Sequence, residues 1–342
     1  MEQQPNFLNC DDTQYPPRSA IRMKNKQYTL QEKSRRRSKN RAYWKENWGH
    51  YMMLVPGMLC LAVFTFIPMY GLYMAFIDYN PMNPNLFDNK FLGLYWFELM
   101  FTEPNLWNLV KNTLILNLLK LLICFPAPIL LALLINEINN RIFKRTFQTI
   151  SYLPNFISWV IVSGMLTIFL NTDNGILNAI LEFFGMEPVS WYSDPSKWRA
   201  ILVITSLWKG VGWGTIMFLS AITAIDPVLY EAATMDGASK FRQVFAVTLP
   251  GIAPTITITL ILTIGKLFSD DFDQIYSLVG GNTILGETTE VISTQIFGFV
   301  NSGAYKEFPL ATAYGLVQGI ISLILIVSSN AVTKKMGQEG IW

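Results

Sequence analysis

A chain of 342 residues in which 51% are hydrophobic and only 15% charged, with a mean hydropathy of +0.30, departs from soluble domains, where about a quarter of residues are charged, and reads as a polytopic membrane protein. The net charge of +2 leaves no global basic field to suggest nucleic acid as a partner. Cys10, Cys60 and Cys124 fall in a polar tail and two apolar segments without short spacing, and His50 is the single histidine, so neither a disulfide framework nor a zinc site follows.

In chain order, residues 1–50 are a basic polar tail, expected to be largely disordered, with Trp44, Trp48 and Tyr51 as aromatic anchors at the membrane interface. Six apolar stretches follow, each long enough, at about 20 residues, to cross a hydrocarbon core. They are 51–77, 106–138, 147–170, 200–225, 252–272 and 310–332. All six are expected to be helices, because lipid offers no partner to open backbone groups. The first is too long for a signal-peptide core, lacks a small-residue cleavage site and follows fifty polar residues, so it reads as a true span. Residues 51–105 then comprise the first span and an external loop, 106–335 a transmembrane core, and 336–342 a short tail. Pro126 and Pro128 predict a kink in the second span. Between the third and fourth spans, Ile176 to Leu181 is amphipathic and stops at Gly185, which predicts a short helix lying on the outer surface. No outer loop is long enough for a separate external domain.

Orientation follows from Lys and Arg counts on alternate sides: 18 in the two tails and the loops on their side, against 4 in the opposite loops. Both termini are therefore expected in the cytoplasm. The run Arg35-Arg36-Arg37 lies close to the first span, where topogenesis accounts for it better than nucleic acid or specific lipid binding.

The cytoplasmic stretch between the fourth and fifth spans reads Asp226-Pro227-Val228-Leu229-Tyr230-Glu231-Ala232-Ala233-Thr234-Met235-Asp236-Gly237-Ala238-Ser239-Lys240-Phe241-Arg242. Pro227 suits a helix start, Glu231-Ala232-Ala233 propagates it, Gly237 can take the positive φ of a C-cap, and Ser239 can reopen a helix. Two short helices with a turn at Gly237 are expected. Small alanines give a low-profile surface that another protein can approach.

This stretch resembles the EAA loop of permeases in binding-protein-dependent ABC importers. The pattern is E-A-A, three residues, G, nine residues, I, one residue, L-P, and every fixed position is matched except that Val247 stands for isoleucine. The resemblance implies that Glu231, Ala232, Ala233, Asp236 and Gly237 form a coupling helix seated on an ATPase subunit, with Leu249 and Pro250 ending the motif. Three further segments look like permeases for complex oligosaccharides and polysaccharide fragments: Arg145 to Val160, Asp173 to Asn178, and Ala313 to Leu316. That likeness runs from about Tyr51 to the C-terminus and departs at Val279-Gly280-Gly281, where many relatives carry an asparagine-proline pair. It implies an all-α integral membrane fold of six transmembrane helices, with the five-helix core of type I (MetI-like) importers and the first span wrapping a partner. It also implies four kinds of partner: a second, different permease, two ATPase subunits, an extracytoplasmic solute-binding lipoprotein and an oligosaccharide, in a bacterial cell membrane and its lipid. No cofactor is expected on this chain, ATP and Mg being held by the ATPase subunits.

The residues themselves support no catalytic role. The only approach to a phosphate-cradling loop, Gly265-Lys266-Leu267, lacks both the first glycine and the hydroxyl. Charges inside the spans are costly, at roughly 2.5 to 3.5 kcal/mol for a central Lys or Asp, and should face water or protein. Helical spacing gathers Thr113, Asn117, Lys120 and Cys124 on the second span, Ser206, Lys209 and Trp213 on the fourth, and Thr263, Lys266 and Asp270 on the fifth. These stripes, with Gly210, are the candidate lining of a substrate cavity, Trp213 being placed to stack on a sugar ring. Interhelical polar glue, snorkelling or a Lys266–Asp270 ion pair would give the same pattern, and Gly210, Gly212 and Gly214 equally suit close helix approach. An importer of a non-sugar solute, a receptor or scaffold needing no ATPase, and a secondary transporter, for which no inverted repeat is evident, are the alternatives.

Overall fold

A computed structural model describes residues 43–341 apart from 45, 84, 338 and 339. The basic run at Arg35 to Arg37, Cys10 and most of the expected N-terminal tail lie outside the described residues. The chain divides between Gly71 and Leu72 into two units.

The first unit contains most of α1 (Glu46–Phe76), the first of the five helical stretches long and apolar enough to cross a membrane. Trp44 and Tyr51 stack with ring centroids 4.4 Å apart at its start. Every residue from Met52 to Tyr70 is exposed, so its apolar surface is left for lipid or another chain. A π turn at Ala62–Phe66 and a 3-10 stretch at Pro68–Phe76 end it. Pro68 has no N–H and cannot continue the α ladder.

The second unit is a bundle. α2 (Tyr95–Thr102) precedes α3 (Leu106–Cys124) and α4 (Pro126–Asn136), which together make the second crossing. The α ladder is interrupted at Phe125, where Pro126 and Pro128 withhold N–H groups. α5 (Arg141–Tyr152) and α6 (Trp159–Phe169) follow, then α7 (Ile176–Phe183) and the long α8 (Pro195–Thr223). α9 (Pro227–Met235) and α10 (Lys240–Gln243) lead through a π turn at Val244–Thr248 into α11 (Leu249–Gly265). Four helices remain: α12 (Phe272–Val279), α13 (Thr283–Thr289), α14 (Ile292–Asn301) and α15 (Phe308–Lys335). Among the described residues there is no strand, only a bridge between Ile77 and Phe91.

Two spans differ from the sequence expectation. The third apolar stretch is no continuous helix: α5, extended by a 3-10 turn at Leu153–Phe156, meets α6 at 97°. Ile157 is extended, and the Ser158 hydroxyl accepts from the Ile161 N–H at 3.4 Å to start a new helix, so the chain turns where an apolar run alone predicts continuity. α6, at about 1.5 Å per residue, covers only about half of a 30 Å hydrocarbon core. The fifth span stops at Gly265 with Lys266 as its cap, well short of residue 272. Ending the helix before its charged residues avoids the cost of carrying Lys266, Asp270 and Asp271 through the span.

The short helix expected between the third and fourth spans is present in the loop at residues 171–194. α7 ends next to Gly185, whose φ is +76°. The buried Asn178 amide donates to the carbonyls of Asn171, Thr172 and Val189 and accepts from the Val189 N–H and the Trp191 indole at 3.1 and 2.9 Å, closing the loop on itself. Three apolar clusters hold the bundle. One lies around Trp96, Leu109 and Tyr314, one around Leu116, Trp198 and Leu285, and one around Ala132, Phe218 and Ile252.

Candidate functional site

Two regions gather the residues singled out in the sequence. The first is the helical turn after α8. The Asp226 carboxylate accepts from the Val228 N–H at 3.0 Å with Pro227 at the first position of α9. At the other end the Gly237 N–H donates to Thr234 O at 3.0 Å and the Ala238 N–H to Ala233 O at 2.9 Å. This pairing is a Schellman motif, and it requires the left-handed backbone that Gly237 supplies at φ +73°. The Ser239 hydroxyl then caps α10. Gln243, buried, donates to Thr234 Oγ1 at 3.0 Å and to Ala238 O at 3.2 Å, and the Tyr230 and Thr248 hydroxyls lie 3.0 Å apart. The turn is thereby locked from inside.

Its outside is bare. Glu231, Ala232, Asp236 and Gly237 are exposed and Ala233 is half-buried. Val228, Leu229, Phe241 and Phe245 are exposed around them, and Met235 is 88% exposed. Apolar side chains of that size around a rigid turn mark a surface shaped for another protein. Leu249 and Pro250 do not end this element as expected: they sit inside one helical run from Lys240 to Gly265. The π turn explains it. The Leu249 N–H reaches back to Val244 O, and the widened turn makes room for a proline ring that would otherwise strike the carbonyl four residues earlier.

The second region is a cavity of about 710 Å³ among α3, α4, α8, α11 and the segment from Lys266 to Asp271. Asn117, Lys120, Ser206, Gly210, Thr263, Lys266 and Asp270 all line it. Asn117 donates to Asp270 Oδ1 at 2.8 Å and to Leu267 O at 3.0 Å, so α3 fixes the chain just after α11 ends. Asp270 Oδ2 is buried and has no partner among the described residues. The Lys120 ammonium donates to Gln274 Oε1 at 2.7 Å, and Ser206 donates to the same oxygen at 2.9 Å. Gln274 Nε2 in turn donates to Leu202 O and Thr205 Oγ1 at 2.7 and 2.9 Å. Among the described residues Lys266 has no ion pair; the Lys266–Asp270 pair weighed as an alternative is not formed, and the two follow the end of α11 instead of sharing its face. One wall is thus a fixed network, and the other carries an ammonium with no protein partner.

Lys209 and Trp213 do not line this cavity. Lys209 donates to Asn155 O at 2.8 Å and to Ile157 O, and lies 5.2 Å from the Trp159 ring centroid. The break between α5 and α6 leaves those carbonyls without helical partners, and an ammonium from α8 supplies them. Trp213 packs edge-on against Phe156 at 5.9 Å and is 53% exposed. Of the three glycines, Gly210 and Gly214 line the cavity, and Gly212 and Gly214 allow close approach. A Cβ at Gly212 would lie 1.9 Å from Ser151 O, and one at Gly214 would lie 3.0 Å from Pro128 Cγ. Sequence reasoning missed Gln274 and Gln243, both buried amides on short polar helices. Asp271 also lines the cavity, and its Oδ2 accepts from the Trp159 indole at 3.2 Å.

Comparison with known proteins places the chain in a family. Residues 125–338 match the family model for the binding-protein-dependent transport system inner membrane component. The polygalacturonan/rhamnogalacturonan transport system permease protein YteP of Bacillus subtilis is 40% identical over 85% of this chain and 89% of its own length. Protein LplB of the same organism is 38% identical over 85% and 90%. Among solved structures, a chain of a bacterial alginate ABC transporter, crystallised with an alginate pentasaccharide-bound periplasmic protein, superposes with a TM-score of 0.77 at 35% identity, covering 87% of this chain and 98% of that one. The chain is a multi-pass membrane protein and belongs to the family of inner membrane components of binding-protein-dependent transport systems.

Proposed function

We propose that this chain is one of two permease subunits of an ATP-driven importer that takes oligosaccharides from an extracytoplasmic binding lipoprotein. The observation that carries the reading is the pairing of a rigid, exposed apolar turn at one end of α8 with a polar cavity along the same helix. α8 joins them directly: it ends at Thr223, shortly before Pro227, and carries Ser206 and Gly210 on the cavity wall. Relatives named for polygalacturonan, rhamnogalacturonan and alginate support a saccharide as the solute.

In this mechanism two ATPase subunits, which bind ATP and Mg, seat from the cytoplasmic side, one on Glu231, Ala232, Ala233 and Gly237 of this chain and the other on the second permease. Their closure tilts α8 and α11 and opens the cavity outward. Ser206, Thr263, Asp270 and Lys266 offer hydrogen-bonding groups to sugar hydroxyls, and ATP hydrolysis returns the cavity inward. Both termini are cytoplasmic, and a second, different permease supplies the facing half of the cavity.

Reconstitution with the second permease, the ATPase and the binding protein tests this by uptake of radiolabelled oligosaccharides into proteoliposomes. ATP-dependent saccharide uptake is expected, and Gly237→Pro, which loses both the positive φ and the N–H bond to Thr234, should abolish it while ATPase association weakens. Normal uptake by that variant would remove the turn from coupling. ATP-dependent uptake of another solute and of no saccharide would sink the substrate assignment alone.

A further inference from the structure

A second cavity, of about 590 Å³, lies between the N-terminal end of α3 and the elements α12 to α14. That volume is within the roughly 300 to 1,000 Å³ of small-molecule sites. It sits where the second crossing begins, beside the start of α8, whose Arg199 donates to Asn112 Oδ1 and to Thr288 O, and so at the end of that helix away from the turn that follows it. α12 is shared by both cavities. Asp271, which caps its start, lines the first, while Ile275, Tyr276 and Val279 line the second.

Its walls are chemically unlike those of the first cavity. The polar lining includes Asn105, Asn108, Glu287, Glu290 and Asn301 beside several threonines, with no Lys or Arg. Among the described residues the Glu287 carboxylate and the Asn301 amide have no hydrogen-bond partner, and both residues are exposed. The floor is fixed: the Asn112 amide donates to the carbonyls of Glu287 and Glu290 at 3.0 and 3.1 Å, and Arg199 donates to Asn112 Oδ1 at 2.7 Å. One side is aromatic. Tyr276 stacks on Phe272 at 5.2 Å and meets Phe297 edge-on at 4.7 Å, and it remains 45% exposed. The Glu290 carboxylate accepts from the Asn105 amide at 3.0 Å, and aromatic surface beside the Glu287 carboxylate and the Asn301 amide fits the apolar ring face and the hydroxyl edge of a sugar. Two carboxylates without a cation repel an acidic one.

We infer that this cavity is an outer subsite for a neutral sugar unit, one that holds the trailing part of a chain whose leading part occupies the first cavity. The inference rests on the saccharide reading above and adds a length and charge preference to it. The site admits hydroxyl-rich units and disfavours uronates, and a disaccharide is too short to use both cavities.

The test is proteoliposome uptake by the complete transporter, comparing neutral and galacturonate oligomers of two and five units, with Glu287→Gln and Asn301→Ala. For the neutral pentasaccharide a KM raised about tenfold is expected in each variant, with disaccharide KM unchanged, and Glu287→Gln should narrow the gap between neutral and galacturonate pentamers. Equal effects on two and five units, or none on either, overturn the subsite. Loss of binding-protein association at unchanged KM would make the cavity a protein-docking surface and also overturn it. If the wild-type transporter takes up no saccharide of either length, the functional reading falls first; saccharide uptake indifferent to the variants leaves that reading standing and removes this one.

Discussion

Around Glu231 and around Gln274 the same chain treats polar and apolar groups in opposite ways. The turn from α9 to α10 satisfies its backbone internally and leaves large apolar side chains such as Met235 and Phe241 uncovered. The cavity does the reverse: its apolar surroundings are packed, and its polar groups are tied to one another across helices far apart in sequence, as Asn117 is to Asp270 and Lys120 to Gln274. The turn leaves its apolar face uncovered, whereas the cavity wall contributed by this chain is tied together by its own side chains. Damage to the cavity wall should therefore appear as lost stability, and damage to the turn as lost coupling in a protein that still folds.

The strongest challenge to that contrast is Gly212→Ala. The added methyl carbon would lie 1.9 Å from a backbone oxygen, so α8 and the end of α5 must separate. We expect roughly 3 kcal/mol of destabilisation, as overpacking of this kind can reach, read as a lower thermal midpoint of the purified chain in detergent; an unchanged midpoint would show that the close approach is not needed. Next is Gln274→Leu, which leaves the Lys120 ammonium and the Ser206 hydroxyl without their shared acceptor. A loss of about 1.5 to 3 kcal/mol is expected, the range for a hydrogen bond to a charged group. Gln274→Glu should recover most of it by retaining an acceptor. On the side of the turn, Gly237→Ala meets no atom within 4 Å, so only its positive φ is penalised, by about 1 to 2 kcal/mol. Uptake should fall about five- to tenfold while the thermal midpoint barely moves; a large fall in midpoint would erase the distinction between the two regions.

The smallest effect concerns the start of α8. Hydrogen bonds from Lys197 and Ser196 hold the Asp194 carboxyl down at about 2. Because the folded value lies below the unfolded one, the contribution is fully present above about pH 4 and is lost as pH falls toward 2. Asp194→Asn should therefore flatten whatever pH dependence the midpoint shows between pH 4 and 2, and should change nothing in shape between 5 and 7.

The turn was legible in the sequence because its chemistry is local. Asp226, Pro227, Gly237 and Ser239 act on atoms within a few residues of themselves, so their spacing alone predicts the geometry. Most of the cavity lining was also legible, since polar side chains in apolar runs have few other places to go. The limits of the third and fifth spans were not. Hydropathy measures how long an apolar run is, while the helices end where Ser158 can cap and where Lys266 can leave the hydrocarbon. Lys209 was assigned to the cavity for the same reason: its true partners, the carbonyls of Asn155 and Ile157, exist only because a helix breaks fifty residues earlier. Gln274 carried a readable signal, an amide beside Ile275 and Leu278, but its role as the junction of α3, α8 and α12 depends on packing.

The π turn at Val244–Thr248 sets the phase of everything after it. One residue more per turn rotates the downstream helix by about 100° relative to an uninterrupted α-helix. Thr259 and Thr263 face the cavity at the present setting. Deleting a single residue from the wide turn would leave both ends of this helix in place along its axis to within about 1.5 Å, yet swing those hydroxyls out of the passage. The join between the turn and the span is thus a gear whose tooth count decides which side of α11 faces the cavity.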